Sequence, residues 1–256
     1  ALAEAYGLSK HDKLKPYLKS AIAVLIAKQQ DGDGGWRDRS EAPEDLSTTA
    51  WAVMALRSAR HAHVAVSSKA LKRAENFIVN CAAGPAASRQ SRYADFPGGT
   101  ATPPATATGL FLRQLLGWPK SEPALIEGCA WIMGAMPPND GTALDAIDYH
   151  FFATQVLRNM EGADFDLWHH LIQEHLVRTQ EQNESFSGSW PPGGDAPSIR
   201  ASRVYSTSLA LLTLQTCYRH LPLYRPVTLR AEDPIDDESE DTDGDDTDDG
   251  PLDERP

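Results

Sequence analysis

The stretch AKQQDGDGGWRDR, Ala27 to Arg39, closes an apolar helical run, passes through a glycine-rich turn and sets a tryptophan, Trp36, two residues past Gly34. A surface turn is an unfavourable place for so large an apolar ring. The plan recurs at QNESFSGSW, Gln182 to Trp190, where Gly188 again stands two before the Trp. Recurrence makes the turn a unit of architecture. Gln30, Gly34 and Trp36, with Gln182, Gly188 and Trp190, read as structural repeat positions, each Trp plugging a seam between neighbouring repeats.

Around these turns the apolar spacing is helical, with essentially no strand pattern. Helices are expected at about 12–30, 46–60, 67–82, 105–117, 122–136, 146–160, 164–181 and 203–220. Starts are signalled by Ser67, by Ser121 followed by Glu122 and Pro123, and by Asp164, while Gly84, Gly117 and Gly162 follow helix ends. The opening ALAEAYGLS reads as the last two turns of a helix already under way, so further repeats and any targeting signal are expected upstream.

The helices fall into two alternating families. In one, Ala21, Ala74, Gly128 and Ile172 stand three residues ahead of an apolar triplet. In the other, STTAWAVMAL, PATATGLFL, DYHFFATQVL and YSTSLALLTL align so that Ala52, Gly109, Ala153 and Ala210 coincide. Small residues at one register let helices pack closely. The first family carries more charge (Lys13, Lys15, Lys19, Lys69, Lys72, Arg73) and is expected outside, the second inside. Such helix pairs build either an open solenoid or a closed ring.

The formal net charge of −12 is concentrated at one end. Fourteen of the 36 acids lie between Glu232 and Glu254, and Arg255 is the only base after Arg230, so the remainder is close to neutral. A tail this acidic, without aromatics, is expected to stay disordered and argues against nucleic acid as a partner. Asp241, Asp243 and Asp245 begin like a calcium loop, but Asp246 replaces the turn glycine and Leu252 the bidentate glutamate. No run approaches the ~18 apolar residues of a membrane span. Cys81, Cys129 and Cys217 are scattered in apolar runs and read as buried free thiols. No feature assigns a compartment.

Gln, a short spacer and Gly-x-Trp after an outer helix resembles the repeat of squalene cyclases and protein prenyltransferase β-subunits, which are α/α-toroids. The stretches ALAEAYGLS, GGWRD, GLFLRQLLGWP, FATQVLRNM and RVYSTSLALLTLQTCYRHLPLY are similar to the prenyltransferase/squalene-cyclase-type repeat proteins abundant in planctomycete bacteria. The resemblance covers residues 1 to about 226 and implies an all-α toroid lacking its amino-terminal repeats, with residues 227–256 as the acidic tail.

The family's chemistry does not carry over intact. A squalene-type cyclase places its proton donor in an Asp-x-Asp-Asp motif at the start of an inner helix. The aligned residues here are Asp45, Leu46, Ser47 and Thr48, so a hydroxyl stands where the acid belongs. A prenyltransferase holds zinc through an Asp-x-Cys pair and a later His. Here Asp148-Tyr149-His150 falls on the pair, and Ser206 stands where the later His belongs. No cofactor is expected, and zinc is a candidate only through Asp148 and His150. The competing reading is that Asp148 caps its helix and His150 packs nearby. Paired carboxylates of the carbohydrate-cleaving kind would draw on Asp145 and Asp148, three apart, with Asp45 and Asp195 in other loops. The pairs His169-His170 and His61/His63 read as solvated helix ends. FPGGTATPP (96–104) lacks the Lys of a phosphate cradle, and no nucleophile elbow is present.

In a toroid the starts of the inner helices converge on one mouth. They would present Asp45, Thr49, Trp51, Thr106, Asp148, Tyr149, His150, Arg203 and Tyr205 around an apolar throat. The expected function is therefore a binding or interaction module, for a protein partner or an apolar small molecule. The alternatives are an isoprenoid or lipid cyclase or transferase with decisive residues upstream or atypical, and a carbohydrate-active toroid.

Overall fold

The computed structural model describes residues 1–39, 41–135, 147–183, 185–192 and 202–218. The acidic tail, its calcium-like run, Asp145 and Asp195 lie outside the described residues. Helices account for the elements: α1 (Leu2–Ser9), α2 (Leu14–Ala27), α3 (Leu46–His61), α4 (Ser68–Asn80), α5 (Pro103–Leu115), α6 (Pro123–Gly134), α7 (Ile147–Met160), α8 (Ala163–Thr179) and α9 (Arg203–Gln215). A 3₁₀ turn, Ala86–Ser91, was not foreseen. Among the described residues the only β feature is an isolated antiparallel bridge between Ala82 and Tyr93. The protein is all-α.

The helix starts are written locally. Asp45, Ser67, Thr102 and Ser202 each accept a hydrogen bond from the backbone N–H three residues on, satisfying a donor that the first turn leaves free. Pro103 and Pro123 stand at first helical positions, where a missing N–H costs nothing. Gly117 and Gly162, at φ of 105° and 84°, take the left-handed backbone that ends α5 and precedes α8.

Helices α3, α5, α7 and α9 pack side by side in chain order, with α1 against α3, while α2, α4, α6 and α8 flank them. Burial separates the layers. Every residue from Ala105 to Leu115 of α5 is buried, as is every residue from Tyr149 to Leu157 of α7. In α2 only Leu18 and Ile22 are buried. A helix apolar or small on all sides belongs between others, whereas one with a charged face belongs at the water. Neighbouring inner helices run parallel. Phe111 meets Phe152 at 5.2 Å near the middle of α5 and α7, and Gln114 donates to the Val156 carbonyl (3.3 Å) one turn later.

The glycine–tryptophan turns lock one layer to the other. Trp36 donates its indole N–H to the Leu25 carbonyl of α2 (2.8 Å), and its backbone N–H to the Thr49 hydroxyl of α3 (3.1 Å). Trp190 repeats both bonds, to Leu176 of α8 (2.9 Å) and to Thr207 of α9 (3.1 Å). Both rings are buried. Gly34 and Gly188 share a positive φ, 85° and 81°, and a Cβ on Gly34 would lie 2.5 Å from the Arg73 carbonyl oxygen.

The glutamines that close these turns are Gln29 and Gln180, whose amides donate to the Gly34 and Gly188 carbonyls at 2.8 and 2.9 Å. Gln30 and Gln182, singled out by spacing, instead reach back to the carbonyls of Lys28 and Gln180. Gln29 also donates to the Ala70 carbonyl of α4 (2.9 Å), tying the turn to the next outer helix.

Between these turns Tyr93 takes the place of the Trp. Its backbone N–H donates to Thr106 of α5 at 3.0 Å, and its ring lies on Gly109, where a Cβ would come within 2.3 Å of it. Its hydroxyl accepts from the buried Arg113, whose guanidinium also donates to Gln90 (2.5 Å) and approaches Glu75 (3.8 Å). Thr49, Thr106 and Thr207 thus share one role at one register. In α7 that register holds His150.

Candidate functional site

At the starts of the inner helices, the candidate residues are engaged in holding the fold. Asp45 caps α3, accepting from the Thr48 N–H (2.7 Å) and hydroxyl (2.6 Å). Thr49 and Thr106 are fully buried behind the bonds already described. Asp148 accepts from the Tyr205 hydroxyl, joining α7 to α9. Tyr149 directs its hydroxyl to the Ala135 carbonyl (2.9 Å), with the Ile132 carbonyl at 3.2 Å, and burial pushes its pKa up. Arg203 donates to Ser189 (3.0 Å), lies 4.0 Å from Glu181, and covers the Phe186 ring at 4.1 Å.

His150 is completely buried, and neither ring nitrogen has a hydrogen-bond partner. Its ring meets that of His175 on α8 edge-on, at 5.2 Å between centroids, and both nitrogens of His175 are equally without partners. Burial, with a smaller contribution from His175, lowers the His150 pKa to about 3, so the ring is neutral. Asp148 is directed to Tyr205 while His150 faces His175. Among the described residues, no group of three His, Cys, Asp or Glu could hold a metal ion.

Trp51 is the exception among the candidates. It stacks on Phe151 at 5.5 Å and forms part of the wall of a cavity of about 540 Å³ bounded by α1, α2, α3, α7 and α9. That volume suits a small organic ligand. The wall of α3 is Trp51, Met54, Ala55 and Ser58, spaced as one helical face, and α2 presents Leu18, Ala21, Ile22 and Leu25 at the same spacing. Phe151 and Gln155 come from α7, and Leu212, Gln215 and Thr216 from the end of α9. Gln155 donates to the Thr216 hydroxyl at 2.8 Å, bridging two of the walls.

Because the inner helices run parallel, distance from the shared Ala52, Ala153 and Ala210 register measures height in the cavity. The aromatic pair sits just before that register. Met54, Ala55 and Leu212 lie within one turn after it. Gln155 shares that turn, and Ser58, Gln215 and Thr216 lie a further turn on, so the wall is aromatic at one end, carries the Gln155 amide among its aliphatic side chains, and is polar at the other end.

Apart from Trp51, sequence reading missed these wall residues, because an apolar stripe on an inner helix looks the same facing a void as facing a neighbour. The available signal was the i, i+3, i+4, i+7 face of α3 that ends in Ser58 instead of an apolar residue.

No protein-family model matches this chain, and neither curated proteins nor solved structures yield a match. Among the described residues, no helix is long and apolar enough to cross a membrane.

Proposed function

We propose that this chain is a non-catalytic binding module of the α/α-toroid type, whose cavity takes up an apolar small molecule. The observation that carries the reading is the cavity of about 540 Å³, with Trp51 and Phe151 at one end and aliphatic walls from α2, α3 and α9. The layered arrangement of inner and outer helices and the repeated Gly-x-Trp locks support the likeness to prenyltransferase and squalene-cyclase repeats. The helix starts where that family places its acid and zinc ligands support a binder over a cyclase or transferase. Ser47 stands at the acid position, Asp45 is bonded to Thr48, and Asp148 is bonded to Tyr205.

The test is a native mass spectrum of freshly purified protein, prepared without detergent, beside that of Ala55→Trp. Ala55 is solvent-exposed on the cavity wall, so the larger ring fills the void without overpacking the core. A small-molecule adduct on the parent protein, lost in a folded Ala55→Trp, is the expected outcome. An adduct of equal abundance on both would place binding elsewhere. A bare mass that stays bare after incubation with apolar compounds would sink the reading.

A further inference from the structure

We infer that the cavity holds an amphiphile in one orientation, its hydrocarbon end against Trp51 and Phe151 and a hydroxyl, carbonyl or amide head at Ser58 and Gln215. The inference rests on the cavity being a binding site, as proposed above, and adds the class of ligand and its direction. The two ends of the wall differ in chemistry. At one end Trp51 stacks on Phe151 (5.5 Å), and both rings pack against the fully buried Phe152 (5.5 and 5.2 Å). A hydrocarbon placed there leaves water and meets ring carbon. At the other end stand Ser58 of α3, with Gln215 and Thr216 at the end of α9. The Thr216 hydroxyl is already committed, donating to the Leu212 carbonyl (2.9 Å) and accepting from Gln155 (2.8 Å). Ser58 and Gln215 have no side-chain hydrogen bond to another described residue, so a hydroxyl and an amide meet a ligand from two walls. Gln215 is also exposed, so a head group beside it keeps contact with water and is not buried unpaired. Ala1 and Glu4 of α1 border the cavity too, and a neutral head that both donates and accepts is compatible with either. Two turns of α3 separate Trp51 from Ser58, roughly 11 Å, which an extended chain of about ten carbons spans.

Bromine quenches indole emission at close contact, so brominated alcohols read the direction of a bound chain. The full chain is titrated with 1-decanol, 10-bromo-1-decanol and 2-bromo-1-decanol, each below its aggregation limit, with calorimetry fixing the occupancy. The emission of Trp51 is the difference between the protein and Trp51→Phe, which keeps a ring on Phe151. At equal occupancy the tail-labelled alcohol should abolish most of that emission, and the head-labelled one should leave it nearly unchanged. Ser58→Ala combined with Gln215→Leu, at two positions that are not buried, should weaken decanol about fivefold in a folded protein. Stronger quenching by the head-labelled alcohol, or equal quenching by both, overturns the orientation while leaving the cavity a binding site. Unchanged decanol affinity in the folded double variant overturns the placement of the head. Saturable binding without quenching by either puts the alcohol outside the cavity, and decanol that fails to bind removes the binding site and the orientation together.

Discussion

His150 occupies the register at which the other inner helices carry a threonine, and the exchange has a cost that pH reveals. A Thr there accepts a backbone N–H from the turn before it, as Thr49, Thr106 and Thr207 do. The imidazole instead lies buried and neutral against His175, with its pKa lowered from 6.5 to about 3. The unfolded chain therefore binds a proton between those values that the folded chain does not. The part of the stability that depends on a neutral His150 is fully present above pH 6.5 and is lost as the pH drops towards 3. At pH 4.5 the loss attributable to His150 is about 3 kcal/mol. Burial lowers the His175 pKa too, which adds in the same direction. Urea unfolding from pH 8 to 4 should show this loss, and His150→Leu should have a flatter profile over the same range. Parallel profiles for the two proteins would show that His150 is already charged in the fold.

The helices are joined by contacts that tolerate very little change in side-chain size. The Tyr93 ring lies on Gly109 so closely that any β-carbon would overlap it at 2.3 Å, and the Tyr93 hydroxyl is held by the buried Arg113. In the neighbouring inner helices the same register accepts an alanine, Ala52, Ala153 or Ala210, so glycine here answers to one ring and not to the helix. Helix propensity favours Gly109→Ala by about 1 kcal/mol, yet steric overlap should make it destabilising by roughly 1–3 kcal/mol. In a Tyr93→Leu background the same substitution should cost much less, and the difference, read from urea midpoints in a double-mutant cycle, measures the overlap. Equal costs in both backgrounds would mean that the ring is not what excludes the methyl.

Across the fold as a unit, the three cysteines report how much must open before the interior is reached. Cys81 and Cys129 are buried, with thiol pKa values pushed up to about 12 chiefly by burial, whereas Cys217, after the end of α9, is only partly covered. All three were expected to be buried on sequence alone. A thiol-reactive reagent at neutral pH should modify Cys217 promptly and the other two only as the protein unfolds. Rapid loss of all three thiols in the native protein would show that the inner layer opens locally. A cavity ligand should slow the reaction of the buried pair, because binding to the folded state suppresses opening.

Much of the architecture was legible in the chain. The periodicity of its apolar residues and the cap at Ser67 are local features. They fixed the number and approximate limits of the helices, and the charge on one family placed it outside. The recurring Gly-x-Trp also betrayed the turns, because a left-handed glycine beside a buried ring leaves a mark within a few residues. Hydrogen-bond partners distant in the chain left no such mark. Spacing could not tell Gln29 from Gln30, and the choice was settled by the Ala70 carbonyl, supplied by another helix. Nor could it foresee Tyr93 standing in for a Trp, or separate the Asp148 that meets Tyr205 from an acid left open for chemistry. The cavity was hidden for the same reason: side-chain period is a property of one helix, whereas a void exists only where five of them fail to meet.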